Sequence, residues 1–196
     1  MIAAGPLGGL SWPRRTQRLS LRPAQPDDVE QVWAFRGLPE VGSWITARPP
    51  DLEQFRRYFV LPERLDTTLV VSLLDAPDQL VGDLMLDVQD AWAQLEVRDR
   101  ARGTQAELGW AFAPTAGGRG YATEAVAELL AICFGELGIR RVEAACFAAN
   151  EPSWRLMERL GMRRETHSVR ESLHRSGEWM DGFAYALLAE EWRARG

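Results

Sequence analysis

The residues best suited to chemistry in this chain lie where a strand runs into glycines and then into a helix. Ala106-Glu107-Leu108-Gly109-Trp110-Ala111-Phe112-Ala113 is followed by Gly117-Gly118-Arg119-Gly120, and Tyr121-Ala122-Thr123-Glu124-Ala125 opens a long amphipathic stretch. The first amides of a helix have no partner inside it, and the helix dipole adds positive potential there, so such a junction suits an anion. Glycines let backbone approach a phosphate closely and adopt positive φ. A plain strand-to-helix turn explains a Gly-x-Gly equally well. Two other phosphate motifs can be checked. A P-loop needs a Lys after its glycine, and the chain has no Lys at all. A dinucleotide fingerprint needs a third Gly where Thr123 stands, although Glu143 lies at a tolerable distance for a ribose carboxylate. Glu107 is the second chemical signal. A carboxylate inside an otherwise apolar strand calls for a partner or a wet cleft. It reads as a base candidate, with a structural carboxylate as the plainer alternative.

The elements that must position these residues follow from periodicity. Arg18 to Pro23 alternates as a first strand, and Pro26-Asp27-Asp28 opens a helix to about Phe35. A second helix is expected over roughly Asp51 to Phe59. Thr67 to Leu74 and Leu80 to Val88 form a hairpin around Asp75-Ala76-Pro77-Asp78. Gln89 to Gly103 reads as a charged loop or extended hairpin, and Gln105 to Ala113 as a strand. Tyr121 to Leu137 is the clearest helix, apolar at 122, 125, 126, 129, 130, 133, 134 and 137 and stopped by Gly138. Arg141 to Phe147 is a strand, Pro152 to Leu160 a short helix, and Arg164 to Leu173 and Glu178 to Leu188 a final strand pair. The alternation predicts one α/β domain with a mixed sheet, and residues 1–15 read as a loose N-terminal extension.

Composition narrows the classes. The chain has 196 residues, 46% of them hydrophobic, enough for a real core and against disorder. No apolar run approaches the ~20 residues that span a bilayer, and the start lacks the order of a signal peptide, so the cytoplasm is the expected location. A net charge of −5 disfavours nucleic acid and suits a cationic acceptor such as an amine. Cys133 and Cys146 read as small buried thiols, and no cluster suits a metal. His167 and His174 sit in the late strands, structural by default, with an acceptor-side role as the alternative for His167. Trp44, Trp92, Trp110 and Trp179 are expected in packing or around an acceptor pocket, and Glu178 and Asp181 on a wet face or near an ammonium.

The glycine stretch resembles the acetyl-CoA motif of the GNAT superfamily, Gln/Arg-x-x-Gly-x-Gly/Ala, with Gly117, Gly120 and Ala122 at its three fixed positions. Gly117 departs from the usual Gln or Arg. Asn150-Glu151-Pro152-Ser153 through Leu160-Gly161-Met162 is similar to the family's later block. Thr16-x-Arg18-Leu19-x-Leu21-Arg22-Pro23, Gly120 to Ala125 and Gly177-Glu178-Trp179 match the RimJ/RimL-like subfamily. The resemblance spans roughly Thr16 to Trp192 and implies a single GNAT domain over residues 16–196. Its sheet would be mixed and splayed, of about seven strands flanked by helices. It implies acetyl-CoA as co-substrate and no metal. The pantetheine arm would bond the backbone of Ala111, Phe112 and Ala113. The diphosphate would rest on the amides of Gly118, Arg119, Gly120, Tyr121 and Ala122, with Gly117 and Thr123 also among the cofactor-binding residues. Asn150 and Ser153 would touch the cofactor from the other side.

The implied reaction is direct transfer of an acetyl group to a primary amine in a ternary complex. The acceptor would be a protein N-terminus or a small molecule. Glu107 falls where several such enzymes carry a catalytic Glu, and a strand amide near Ala111 would hold the oxyanion. The family's frequent thiolate acid is a Tyr seven residues after the Asn, and Met157 stands there. Ser153, water or Tyr121 would have to serve instead. A non-catalytic acyl-CoA-binding module is the competing reading, and the resemblance leaves room for a homodimer.

Overall fold

The computed structural model describes residues 5–195. In this range eight strands follow the hydrogen-bonded order β1-β2-β3-β4-β5-β6-β8-β7. The chain falls into two compact units, Met1–Leu86 with Trp110–Glu128, and Asp87–Gly109 with Leu129–Gly196.

The first unit holds β1 (Arg14–Arg15), β2 (Leu19–Pro23), β3 (Thr68–Leu73), most of β4 (Ala76–Gln89) and the end of β5 (Gln105–Phe112). Leu21 pairs with Val71, and Val70 with Asp83, all antiparallel. Helices α1 (Val29–Arg36) and α3 (Leu52–Phe59) supply Val29, Val32, Phe35, Phe55 and Phe59 to one core with Val70, Leu80 and Ala111. Asp51 caps α3 by accepting from the Gln54 amide at 2.8 Å. Arg22 grips Asp28 through two 2.7 Å bonds at the entry to α1.

Arg36 of α1 and Asp83 of β4 form a buried ion pair, 2.5 Å at its shortest, with side chains 11% and 2% exposed. Removing one partner of such a pair leaves a charge without water or counter-ion. Asp83→Ala is therefore expected to cost ~3–5 kcal/mol, read as a fall in urea midpoint, and Asp83→Leu with Arg36→Met to recover most of it.

The second unit holds the rest of β4 and β5, then β6 (Arg141–Phe147), α6 (Glu151–Arg159), β7 (Arg163–Leu173), β8 (Trp179–Leu188) and α7 (Ala189–Arg193). Helix α5 (Tyr121–Ala131) begins in the first unit and ends in the second. Strands β6 and β8 pair antiparallel from Arg141↔Leu188 to Phe147↔Gly182. The parallel register of β5 with β6 is much shorter, Gln105↔Arg141 to Glu107↔Glu143. That brevity fits the splayed mixed sheet expected from the sequence. β7 is exposed at nine of its eleven positions, with Arg170 at φ 47 and a slipped register between Ser168 and Ser172.

Several expectations need correction. Residues 1–4 of the expected extension lie outside the described residues. Within residues 5–15, Leu7 is 3% exposed, and Arg14–Arg15 adds a strand to the seven expected. The long helix is α-helical only to Ala131 and continues as a π-turn over Ile132–Glu136. The wider turn lets three consecutive residues, Ile132, Cys133 and Phe134, all face inward. Two single-turn helices, α2 (Pro39–Gly42) and α4 (Pro62–Leu65), were not foreseen. The charged segment carries a 3-10 stretch, Leu95–Ala101. Trp92 and Trp179, expected to pack or line a pocket, are 90% and 59% exposed.

Candidate active site

The glycine junction is shaped by two left-handed residues. Gly118 has φ +71 and Gly120 φ +78, while Arg119 between them keeps a negative φ. Alternation of this kind turns successive N–H groups into one concavity, a nest suited to anions. A Cβ at Gly118 would meet nothing within 4 Å, so the concavity is open. The Glu124 amide bonds the Gly120 carbonyl at 3.0 Å, the start of the α5 ladder. The amides of Tyr121, Ala122 and Thr123 precede it and have no partner within the helix. Residues 117–123, singled out from the sequence, thus run continuously through this turn and into α5.

The strand residues fare differently. The Ala113 amide donates to the Val81 carbonyl at 2.9 Å, and its carbonyl accepts from the Ala116 amide at 2.9 Å. Both polar groups of Ala113 thus carry one bond each, and its carbonyl keeps a second lone pair. Backbone groups alternate in direction along a strand. Ala111 therefore follows Ala113 toward β4, and Phe112 presents its N–H and C=O to the opposite edge. Phe112 packs its ring over Gly82, where an added Cβ would lie 2.5 Å from the ring.

Glu107 lies half-buried in β5, beside Glu143 in the parallel register. Burial pushes its carboxyl above the ordinary range; the charges of Glu143 and Asp87 push it further, and a bond from Gln89 opposes them. Gln89 also donates to Asp87 at 2.7 Å. Glu143 is held in turn by Arg141 at 3.2 Å. Sequence reasoning found Glu107 but not Asp87 or Gln89, whose side chains reach it only because β4 folds beside β5.

Asn150 is the N-cap residue of α6, and its carbonyl accepts from Ser153 and Trp154 rather than its side chain capping the turn. The Ser153 hydroxyl shares a hydrogen bond with the Cys146 thiol, which burial pushes up and which is half-buried, not fully buried as expected. Cys133 is fully buried, its thiol pushed up to about 12 by burial. Glu143 and Cys146 are an odd number of residues apart, so they face opposite sides of the sheet. Glu107 therefore shares one face with Glu143, while Ser153 and α6 cover the other.

His167 pairs with Phe183, which pairs with Cys146, so His167 lies on the α6 face and not on that of Glu107. Its Nε2 is 2.7 Å from Asp181. Asp181 also accepts from the Arg170 amide at 2.9 Å; that bond and His167 hold it below the usual carboxylate range. Asp181 is thus engaged with these partners. Met157 is 0% exposed in the core and supplies no proton donor. Tyr121, the substitute acid considered from sequence, lies under the Arg18 guanidinium at 4.8 Å.

Arg18, Thr16 and Glu124 are the part of the site whose role the sequence did not reveal. Glu124, in the first turn of α5, accepts from the Thr16 hydroxyl at 2.5 Å, the Arg18 amide at 2.8 Å and the Arg18 Nε at 2.7 Å. Arg18 also donates to the Arg119 carbonyl at 2.8 Å.

A family model described as an acetyltransferase (GNAT) domain matches residues 18–163. The chain belongs to the GNAT acetyltransferase family. This is a family of acetyl-CoA-dependent acyltransferases. Uncharacterized N-acetyltransferase YnaD of Bacillus subtilis is 41% identical over 86 residues, 44% of this chain and 50% of YnaD, so the match spans about half of that relative. YdaF of Bacillus subtilis, which bears the name of a ribosomal N-acetyltransferase, is 34% identical over 179 residues, 90% of this chain and 94% of its own. A solved GNAT-family acetyltransferase from Bacillus anthracis superposes with a TM-score of 0.74 at 29% identity, covering 90% of this chain and 98% of that one. Among the described residues no group of three or more His, Cys, Asp or Glu could hold a metal ion, and no helix is long and apolar enough to cross a membrane.

Proposed function

We propose that this protein is an N-acetyltransferase that carries an acetyl group from acetyl-CoA to a primary amine by direct attack in a ternary complex. The observation that carries this reading is the open nest at the mouth of α5, with positive φ at Gly118 and Gly120. In this reading the amides of residues 118–123 receive the diphosphate, Gly117 leads the chain into the nest, and Phe112 bonds the pantetheine arm. Asn150 and Ser153 contact the cofactor from the α6 face. The amine approaches on the Glu107 face, where Asp87 and Glu143 favour a cation.

Glu107 accepts the ammonium proton, directly or through a water, and frees the lone pair. Its raised carboxyl is the better base for this. The nitrogen then attacks the thioester carbonyl and gives up its second proton to solvent, the C–S bond breaks, and coenzyme A leaves as a thiolate. The oxyanion is held by a β5 amide on the edge away from β4, which alternation assigns to Phe112 rather than Ala111. Met157 gives the thiolate no proton, so solvent or the Ser153 hydroxyl supplies it. Most of the acceleration comes from holding the two reactants together. An α-amine titrates near ~8 and a Lys-like amine near ~10.4, so the second depends more heavily on Glu107.

Release of free thiol from acetyl-CoA tests the reading. The panel should include peptides with free N-termini, amino acids, polyamines and aminoglycosides. Turnover with at least one supports an enzyme and names its acceptor class. Tight coenzyme A binding with no turnover across the panel would make the chain an acyl-CoA-binding module. No calorimetric binding of coenzyme A would remove both readings.

A further inference from the structure

We propose that Arg18 is a positioning residue for the donor's diphosphate, setting both the charge and the backbone direction of the nest; this rests on the acetyl-CoA reading above. Two observations point the same way. The first is electrostatic. Glu124 sits in the opening turn of α5, where a carboxylate alone would suit the helix dipole but would repel an arriving phosphate. Arg18 answers that charge, with its NH2 group 2.6 Å from Glu124 and Nε bonded to the same carboxylate oxygen. Burial pushes Glu124 upward, but the Thr16 hydroxyl, the Arg18 amide and the Arg18 guanidinium together hold it below its ordinary range, so it is charged when a donor arrives.

The second observation is geometric. Arg18 NH1 holds the Arg119 carbonyl at 2.8 Å. In a trans peptide the carbonyl and the following N–H point in opposite directions. Anchoring the Arg119 oxygen to Arg18 therefore aims the Gly120 amide away from Arg18, into the nest. The guanidinium also lies over the Tyr121 ring at 4.8 Å, on the first residue of the helix. One side chain near the start of β2 thus fixes a peptide about a hundred residues later. It leaves the mouth of α5 neutral at its rim and rich in donors at its centre.

The test measures coenzyme A affinity by calorimetry in the full chain. Arg18→Gln is expected to weaken binding about tenfold, the loss of one charge-assisted contact set. The double variant Arg18→Gln with Glu124→Gln is expected to return affinity to within about threefold of the parent. Glu124→Gln alone keeps an acceptor for the Thr16 hydroxyl and the Arg18 amide, loses the one for the Arg18 guanidinium together with the negative charge, and is expected to bind coenzyme A as tightly as the parent or more so. A merely structural strap predicts the reverse, with Glu124→Gln weaker and the double variant no better than the single. In turnover, Arg18→Gln should raise KM for acetyl-CoA and leave KM for S-acetylpantetheine, which lacks the diphosphate, unchanged. Equal loss with both donors, or an Arg18→Gln variant that binds like the parent, overturns the proposal. A parent chain that binds no coenzyme A fails the acetyl-CoA reading itself, and the proposal with it.

Discussion

Glu107→Gln is expected to cut turnover by ~10²–10⁴-fold while leaving coenzyme A affinity within about twofold. The Gln amide matches the carboxylate in size but cannot accept the ammonium proton. The acceptor must then lose its proton to bulk water, so the loss should be greatest for Lys-like amines and smallest for α-amines. The pH profile gives a second readout. Activity in the parent needs Glu107 ionised, so the rate falls as pH drops through its carboxyl. Burial and the charges of Glu143 and Asp87 place that fall above the usual carboxylate range. In the Gln variant this limb disappears. The sign for stability runs the other way. A carboxyl raised in the folded state favours the fold while protonated, and that contribution is lost as pH rises through its folded value. Ionised Glu107 therefore costs the fold at neutral pH, and Glu107→Gln should not lower Tm. Unchanged turnover would remove Glu107 from the mechanism.

Gly120→Val is expected to weaken coenzyme A binding by ~10–100-fold with the fold retained. Gly120 sits at φ +78, where a β-branched residue is a genuine outlier. Space is not the obstacle, since an added Cβ would stand 3.5 Å from Arg18, an ordinary contact. The cost is backbone strain of ~1–3 kcal/mol. The loop can relieve it by rotating the peptide between Arg119 and Gly120. That rotation breaks the bond from Arg18 and turns an amide out of the nest. Gly135→Ala serves as the control, because an added Cβ there meets nothing within 4 Å. Calorimetry on both variants decides the matter; parent-like affinity in Gly120→Val would mean the diphosphate lies elsewhere.

The elements whose signals are local were legible in the sequence. β6 spans Arg141–Phe147, the bounds read from the sequence, and α3 begins after the Asp51 cap. The nest was legible because positive φ is a property glycine advertises. What stayed hidden depends on neighbours distant in the chain. The bond from the Ala113 amide to Val81 could not be read from sequence, since a strand's alternation has no sign until a partner is known. Arg18 and Glu124 are 106 residues apart, and neither type alone announces a clamp. Pro-opened single turns such as Pro39–Gly42 and Pro62–Leu65 are too short for periodicity to register. The π-turn after Ala131 keeps the apolar pattern of an α-helix and so looks like one.

The border of the sheet carries one more consequence. β7 ends the strand order, and a long edge offers a row of donors and acceptors that a foreign strand could copy. The left-handed Arg170 and the slip between Ser168 and Ser172 interrupt that row midway. The effect is colloidal: in a crowded solution, neighbouring molecules meet a kinked, arginine-bearing rim instead of a template for endless growth.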